Sequence, residues 1–134
     1  MGDAEQKKHK VLLVDDEVDF IQPLAFWLQF KGYEVVVAFD GTCALQKLRE
    51  ERPDIIFMDL NMPGMSGVEA VGKIRELNPE IPIIIISAYI DEERIKEVLS
   101  CGISGVFYKG ADFQEGLALL ETTLRTHKKL KKTT

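Results

Sequence analysis

Cysteine is scarce in this 134-residue chain: Cys43 and Cys101 stand alone, with no CxxC pair and no metal-type spacing. Two thiols this far apart read as structural groups of a chain kept reduced, and not as a disulfide framework. Histidine is equally rare, and His9 and His127 read as solvated side chains, remote from the strand-end acids, and not as ligands. Long apolar runs are missing too. A bilayer span needs roughly 20 such residues, and the longest run here, residues 81–86, contains Pro82. The first ten residues are polar and charged, so neither a secretory leader nor a membrane partner is expected, and a cytoplasmic location is. Low-complexity segments are absent.

Positive charge is sparse over most of the chain. The net charge is −5, but Arg125, Lys128, Lys129, Lys131 and Lys132 lie in the last ten residues, which hold no acid. The first 124 residues therefore carry 12 basic and 22 acidic side chains, a balance of −10. An acidic body argues against direct nucleic-acid binding, which needs clustered cations against phosphates. The basic tail reads as a helix end favoured by the negative pole of the helix dipole, or as the start of a linker. The length suits one domain, expected over residues 10–126 between an N-terminal segment (1–9) and that tail (127–134). A hydrophobic content of 46% with 29% charged residues is that of a globular domain large enough to bury a core without staples.

What the chain does have is an alternation. Short branched runs at 11–14, 35–37, 55–58, 83–86 and 106–108 read as buried strands. Between and after them come helical periods. Residues 17–30 carry Phe20, Ile21, Leu24, Trp27 and Leu28, with Pro23 in the first two turns and Gly32 as the stop. Trp27 and Phe30 read as core and edge packing. Asp40 is a plausible N-cap for a helix through Ala44, Leu45 and Leu48. Ser66 and Glu69 form a capping-box pattern ahead of Val68, Val71, Ile74 and Leu77. Asp91 caps a helix with Ile95, Val98 and Leu99, closed by Gly102. Asp112 opens the last, with Phe113, Leu117, Leu120 and Leu124 on one stripe. Met62 and Met65 read as adaptable packing residues around a turn. Strict strand–helix alternation predicts an α/β fold with a parallel sheet and helices on both faces. For five strands the expected order is the flavodoxin-like, doubly wound 2-1-3-4-5.

Four of the five strands end in chemistry. The first runs into Asp15-Asp16, the third into Asp59, the fourth into Ser87 and the fifth into Lys109. The expected switch point lies between the first and third strands, the two that end in acids, and ligands bind at that edge of such sheets. Crowded carboxylates raise one another's proton affinity unless a cation neutralises them. Oxygen donors without His or Cys suit magnesium, with calcium as the softer option. Asp59 could then present one oxygen as a nucleophile towards phosphorus while Lys109 and Ser87 bind phosphoryl oxygens.

Val-Asp-Asp-Glu at 14–17, Met-Asp-Leu-Asn-Met-Pro-Gly-Met-Ser-Gly at 58–67, Ser-Ala at 87–88 and Lys109 together resemble a bacterial two-component response-regulator receiver domain of the chemotaxis-regulator kind. The resemblance runs from Lys10 to about Thr126. It implies that Asp59 accepts a phosphoryl group from a histidine kinase or phosphotransfer protein. It further implies Mg²⁺ held by Asp16, Asp59 and the backbone carbonyl of Asn61, with Asp15 acting through water. Ser87, followed by Ala88, becomes the switch hydroxyl and Lys109 the phosphate partner, while Asn61 and Tyr89 flank the phosphate and tune its hydrolysis. Two positions depart from the pattern. Gly110 follows Lys109 where the family usually has proline, relaxing that loop. Val106 stands where the family often has a ring that swings inward on activation, leaving Tyr89 or Tyr108 to shape the output surface.

The resulting expectation is a phosphorylation-dependent signalling module that shifts the surface around the fourth helix and fifth strand. It is not a turnover enzyme on an external substrate, and it acts on an output partner or effector domain, with activation-dependent homodimerisation as one mode. The competing reading, supported by Val106 and Gly110, is a pseudo-receiver that docks partners without phosphorylation. A flavin carrier or Mg²⁺-dependent hydrolase fits less well, because the first strand lacks a Gly- and hydroxyl-rich phosphate loop and no DxD motif occurs.

Overall fold

The computed structural model describes residues 8–88 and 92–133, with side chains described for 8–88 and 93–127. Tyr89 and the Asp91 cap expected for the fourth helix lie outside the described residues, as do the side chains of Lys128, Lys129, Lys131 and Lys132. Five strands, β1 (Lys10–Val14), β2 (Glu34–Ala38), β3 (Ile55–Asp59), β4 (Ile83–Ser87) and β5 (Gly105–Tyr108), alternate with five helices. These are α1 (Val18–Phe30), α2 (Gly41–Glu51), α3 (Gly67–Leu77), α4 (Glu92–Leu99) and α5 (Phe113–Thr133). Every strand pair is parallel and the sheet order is β2-β1-β3-β4-β5. The flavodoxin-like order expected from the alternation is the one observed.

Side chains on a strand point alternately to opposite faces, and here that parity sorts the core into two layers. Leu12, Val14, Ile56, Met58, Ile83 and Ile85 pack under α2, α3 and α4, against Ala44, Leu48, Ala70, Val71, Ile74 and Val98. Val11, Leu13, Ile55, Phe57, Ile84, Ile86 and Phe107 pack under α1 and α5, against Ile21, Leu24, Leu28, Leu117 and Leu120. With both faces covered, the inner strands need no polar alternation, which is why β3 and β4 read as continuous apolar runs.

Local chemistry sets the helix ends. Asp40 caps α2, its Oδ1 accepting the Cys43 N–H at 2.7 Å, and Ser66 Oγ accepts the Glu69 N–H at 3.2 Å at the start of α3. Asp112 Oδ1 accepts from Gln114 N at the start of α5. Gly102, at φ +77°, closes α4 with its N–H on the Leu99 carbonyl. Arg75, near the end of α3, donates to the carbonyls of Asn78, Ile81, Cys101 and Gly102 at 2.6–3.2 Å, tying two loops together.

Several expectations need correction. Pro23 lies in the first two turns of α1 as expected, but as the sixth residue it is past the N–H groups that lack partners, so its ring costs the helix one internal bond. Phe30 is 78% exposed and no core residue, since the helix turns it outward beside Phe26 while Trp27 packs half-buried on Phe113. Leu77 and Leu99 are likewise exposed at the last turns of α3 and α4, beyond the reach of the sheet. Met62 is buried in the core and Met65 is half-buried against Gly41, as adaptable packing residues should be. α5 continues as a helix into the basic stretch, to Thr133.

One glycine fixes the position of the β3 end. A Cβ on Gly67 would sit 2.1 Å from the Asp59 carbonyl oxygen and 2.4 Å from Leu60 Cα, both backbone atoms that cannot give way. The Gly67 N–H bonds the Leu60 carbonyl at 3.1 Å, so α3 begins pressed onto the segment that carries Asp59. We expect Gly67→Ala to cost roughly 2–3 kcal/mol in urea unfolding, as overpacking does. Gly72→Ala, in open space on the same helix, should instead be neutral or stabilising by up to about 1 kcal/mol. Equal effects at the two positions would contradict the close approach.

Candidate functional site

The two-layer parity delivers the site. Asp15, Asp59 and Lys109 continue, in steps of two, the positions Val11/Leu13, Ile55/Phe57 and Phe107, whose side chains face α1 and α5. All three therefore turn towards one another at the same edge. Ser87 continues Ile83/Ile85 on the opposite parity and closes the site from the other side. Lys109 Nζ lies 2.9 Å from Asp15 Oδ2, 2.5 Å from Glu17 Oε1 and 3.7 Å from Asp59 Oδ2. Phe20 of α1 supports the ammonium from below, ring centroid 5.1 Å away. Asp15 is fully buried, Asp59 and Ser87 nearly so, and Asp16 is exposed at the rim.

Backbone groups hold the acids in place. Asp15 Oδ1 accepts the Glu17 N–H at 2.9 Å, and Asp59 Oδ1 accepts the Asn61 N–H at 3.2 Å. The other oxygen of each, Asp15 Oδ2 and Asp59 Oδ2, is buried without a hydrogen-bond donor among the described residues. The Lys109–Asp15 contact is thus a close charge pair lacking hydrogen-bond alignment. Lys109 is anchored through its own backbone, whose N–H bonds the Ser87 carbonyl at 2.8 Å. The following loop turns at Gly110, φ +91°, closed by the Ala111 N–H on the Tyr108 carbonyl. Glycine supplies here a left-handed turn that proline cannot adopt.

The electrostatics are unbalanced. Burial, then the neighbouring Asp15 charge, push the Asp59 carboxyl up to about 7, against the opposing pull of the Asn61 N–H and Lys109. Burial alone would lower the Lys109 ammonium, but Glu17, Asp15 and Asp59 together raise it, so it stays charged. One oxygen from each of Asp15, Asp16 and Asp59 lies within 4.8 Å of the others, the one such group of three among the described residues. An all-oxygen set with two donorless buried oxygens fits a hard divalent cation such as Mg²⁺. The acids line or adjoin a cavity of about 250 Å³ whose walls include Glu17, Asp59, Asn61, Ser87, Arg94 and Lys109.

Of the residues singled out in the sequence, Asp15, Asp16, Asp59, Asn61, Ser87, Ala88 and Lys109 converge here, with Ala88 exposed at the mouth. Val106 does not; half-buried, it packs into the layer under α2–α4. Tyr108 is part-exposed on β5. His9 and His127 line a separate cleft of about 290 Å³, together with Pro53, Asp54, Glu80 and Pro82. Sequence reasoning missed three participants. Glu17 was legible as the third acid in a row after β1. Phe20 was assigned only to packing. Arg94, whose guanidinium reaches from α4 to Asn61 Oδ1 and to the Leu60 carbonyl at 3.5 Å, left no signal.

Residues 11–121 match the sequence profile of the response regulator receiver domain. The transcriptional regulatory protein ZraR of Escherichia coli is 36% identical over 118 residues, covering 87% of this chain but 27% of ZraR. The transcriptional regulatory protein TcrX of Mycobacterium tuberculosis is 29% identical over 134 residues, 99% of this chain and 54% of TcrX. The chain thus spans about a quarter to a half of these curated relatives. Among solved structures, the chemotaxis protein CheY4 of Vibrio cholerae superposes with a TM-score of 0.83 at 34% identity, covering 87% of this chain and 99% of that one. A CheY-like receiver domain protein from Methanospirillum hungatei gives 0.88 at 25% identity, covering 92% and 98%.

The raised Asp59 carboxyl has a stability consequence of definite sign. Between its unfolded value, 3.8, and about 7, the folded metal-free chain holds a proton that the unfolded chain has lost. Stability must therefore fall as pH rises through that window. Asp59→Asn removes the penalty and should stabilise the metal-free domain at pH 7.5 by roughly 2 kcal/mol while flattening the loss between pH 4 and 7. Urea unfolding across pH in EDTA checks both; a less stable variant at pH 7.5 would contradict the assignment.

Proposed function

The chain belongs to the response regulator receiver domain family of two-component systems, and on that footing we propose that Asp59 accepts a phosphoryl group in a Mg²⁺-dependent reaction. The donor is a histidine kinase or phosphotransfer protein. One Asp59 oxygen attacks phosphorus, the P–N bond to the donor imidazole breaks, and the electron pair leaves with the imidazole nitrogen. Asp15, Asp16, Asp59 and the Asn61 backbone carbonyl would hold the cation, which neutralises charge on the transferring group. Lys109 supplies a fixed cation to a phosphoryl oxygen and Ser87 a hydroxyl donor.

The observation that carries this reading is the Lys109 ammonium, 2.9 Å from Asp15 Oδ2 and 3.7 Å from Asp59 Oδ2, beside a cavity walled by Ser87. A strand end with solvated charges would need none of that convergence. Phosphorylation would place new acceptor oxygens in competition with Glu17 and Asp15 for Lys109. The carboxylates released would then need other partners, which couples the site to the α1 start and the β5–α5 turn. Output runs through a partner, an attached effector domain or a second copy of the chain, in the cytoplasm. No helix of the described residues is long and apolar enough to cross a membrane. The domain consumes its own phosphoryl group and turns over no external substrate.

Incubation with acetyl phosphate and Mg²⁺ should add the mass of one phosphoryl group to the intact protein, labile at alkaline pH and absent from Asp59→Asn. Lys109→Met should slow acquisition by about 100-fold, the lower end of the loss for one preorganised donor to developing charge. Beryllofluoride should shift ¹H–¹⁵N resonances of the wild type but not of Asp59→Asn. A wild type that gains no mass and shows no response would favour the phosphorylation-independent docking module instead.

A further inference from the structure

Arg94 belongs to α4 and has no part in the acid cluster, yet its guanidinium crosses the mouth of the site. One nitrogen donates to Asn61 Oδ1 and lies 3.5 Å from the Leu60 carbonyl. Arg94 also walls the cavity that holds Asp59, Ser87 and Lys109. On its other side it borders a cleft also lined by Glu69, Glu93 and Glu97, so the rim around it is acidic. Because arginine has donors only, the Asn61 atom it engages must be the amide oxygen.

That assignment has a chemical consequence. Loss of a phosphoryl group from Asp59 requires a water to attack phosphorus. The P–O bond to the carboxylate breaks, its electron pair returns to Asp59, and the proton of the water leaves with inorganic phosphate. An acceptor near the phosphoryl group that takes a hydrogen bond from that water, and so orients it for attack, accelerates the step. Asn61, two residues past Asp59 and lining the cavity, offers one such acceptor, Oδ1. A carbonyl oxygen already bonded to a cation is a weaker and rotationally fixed acceptor.

Resting on the phosphoacceptor reading above, we propose that Arg94 is a positioning residue that sequesters the Asn61 amide oxygen and so prolongs the life of the phosphorylated state. α4 thereby acts on the lifetime of the signal as well as on its output: any partner that draws Arg94 away from Asn61 hastens the loss. The contact lies at the exposed mouth, so its effect is a few-fold, that of one hydrogen bond.

The test is phosphoryl loss from acetyl-phosphate-loaded protein, followed by intact mass after donor removal, in wild type, Arg94→Met, Asn61→Ala and the double variant. Arg94→Met should lose the group about fivefold faster than wild type, and Arg94→Lys should fall between. In the Asn61→Ala background, Arg94→Met should change nothing, a result that a merely structural role would not give. The Asn61 side-chain NH₂ resonances of the unphosphorylated protein should also shift in Arg94→Met, independently of loading. Equal loss rates in wild type and Arg94→Met, or an effect that persists without Asn61, would overturn the inference while leaving the phosphoacceptor intact. A wild type that takes up no phosphoryl group would overturn both.

Discussion

The charge imbalance at the sheet edge is the constraint from which the rest follows. Asp15, Glu17 and Asp59 share one ammonium, with Asp16 at the rim, and two carboxylate oxygens are buried without donors. A folded domain tolerates such a cluster only at a cost, and the cost is visible in the Asp59 carboxyl, held near neutrality by burial and by Asp15. The imbalance is also the source of function. A site short of positive charge favours a cation, and a cation beside a fixed ammonium would favour a phosphoryl group, which is the basis of the function proposed above.

The sheet makes the imbalance unavoidable. Parallel order 2-1-3-4-5 puts the ends of β1 and β3 side by side, and strand parity turns Asp15, Asp59 and Lys109 to the α1–α5 face. The close approach of Gly67 to the Asp59 carbonyl and the backbone bond from Lys109 to Ser87 leave these ends little freedom to relax apart. Stability elsewhere, in two apolar layers without a gap in β3 or β4, carries the strain of the edge.

Much of this was legible in the residues. Runs such as Ile83–Ile86 announce buried parallel strands because nothing polar interrupts them. The acids and the lysine stand where those runs stop, so the expected topology brought them together. Helix caps at Asp40 and Ser66 were readable because their chemistry is local. The packing of Phe30, Leu77 and Leu99 was not: Phe30 falls on the outward face with Phe26, and Leu77 and Leu99 keep the helical period but lie where their helices have run past the sheet. Arg94 was invisible for a related reason. Its contact with Asn61 spans 33 residues and depends on how α4 lies over the β3–α3 loop, a geometry that no spacing encodes. Gly110 was read as loosening Lys109, whereas the backbone bond to Ser87 fixes the lysine before the glycine turn begins.

Val106 bears on how such a domain signals. With valine packed into the α2–α4 layer, no ring at that position can swing inward. If Lys109 moves as proposed on phosphorylation, its contacts to Glu17 and Phe20 on the α1 side and the Gly110 turn are the ones that change with it. The acid cluster acts in all of this as a divalent-cation site. Calorimetric titration of MgCl₂, up to on the order of 10 mM, into EDTA-stripped protein, with unfolding followed in parallel, addresses it directly. Binding should be saturable, raise the unfolding temperature, and be weakened or lost in Asp16→Asn and Asp59→Asn. Absence of binding in the wild type, or equal stabilisation in all three proteins, would contradict that role.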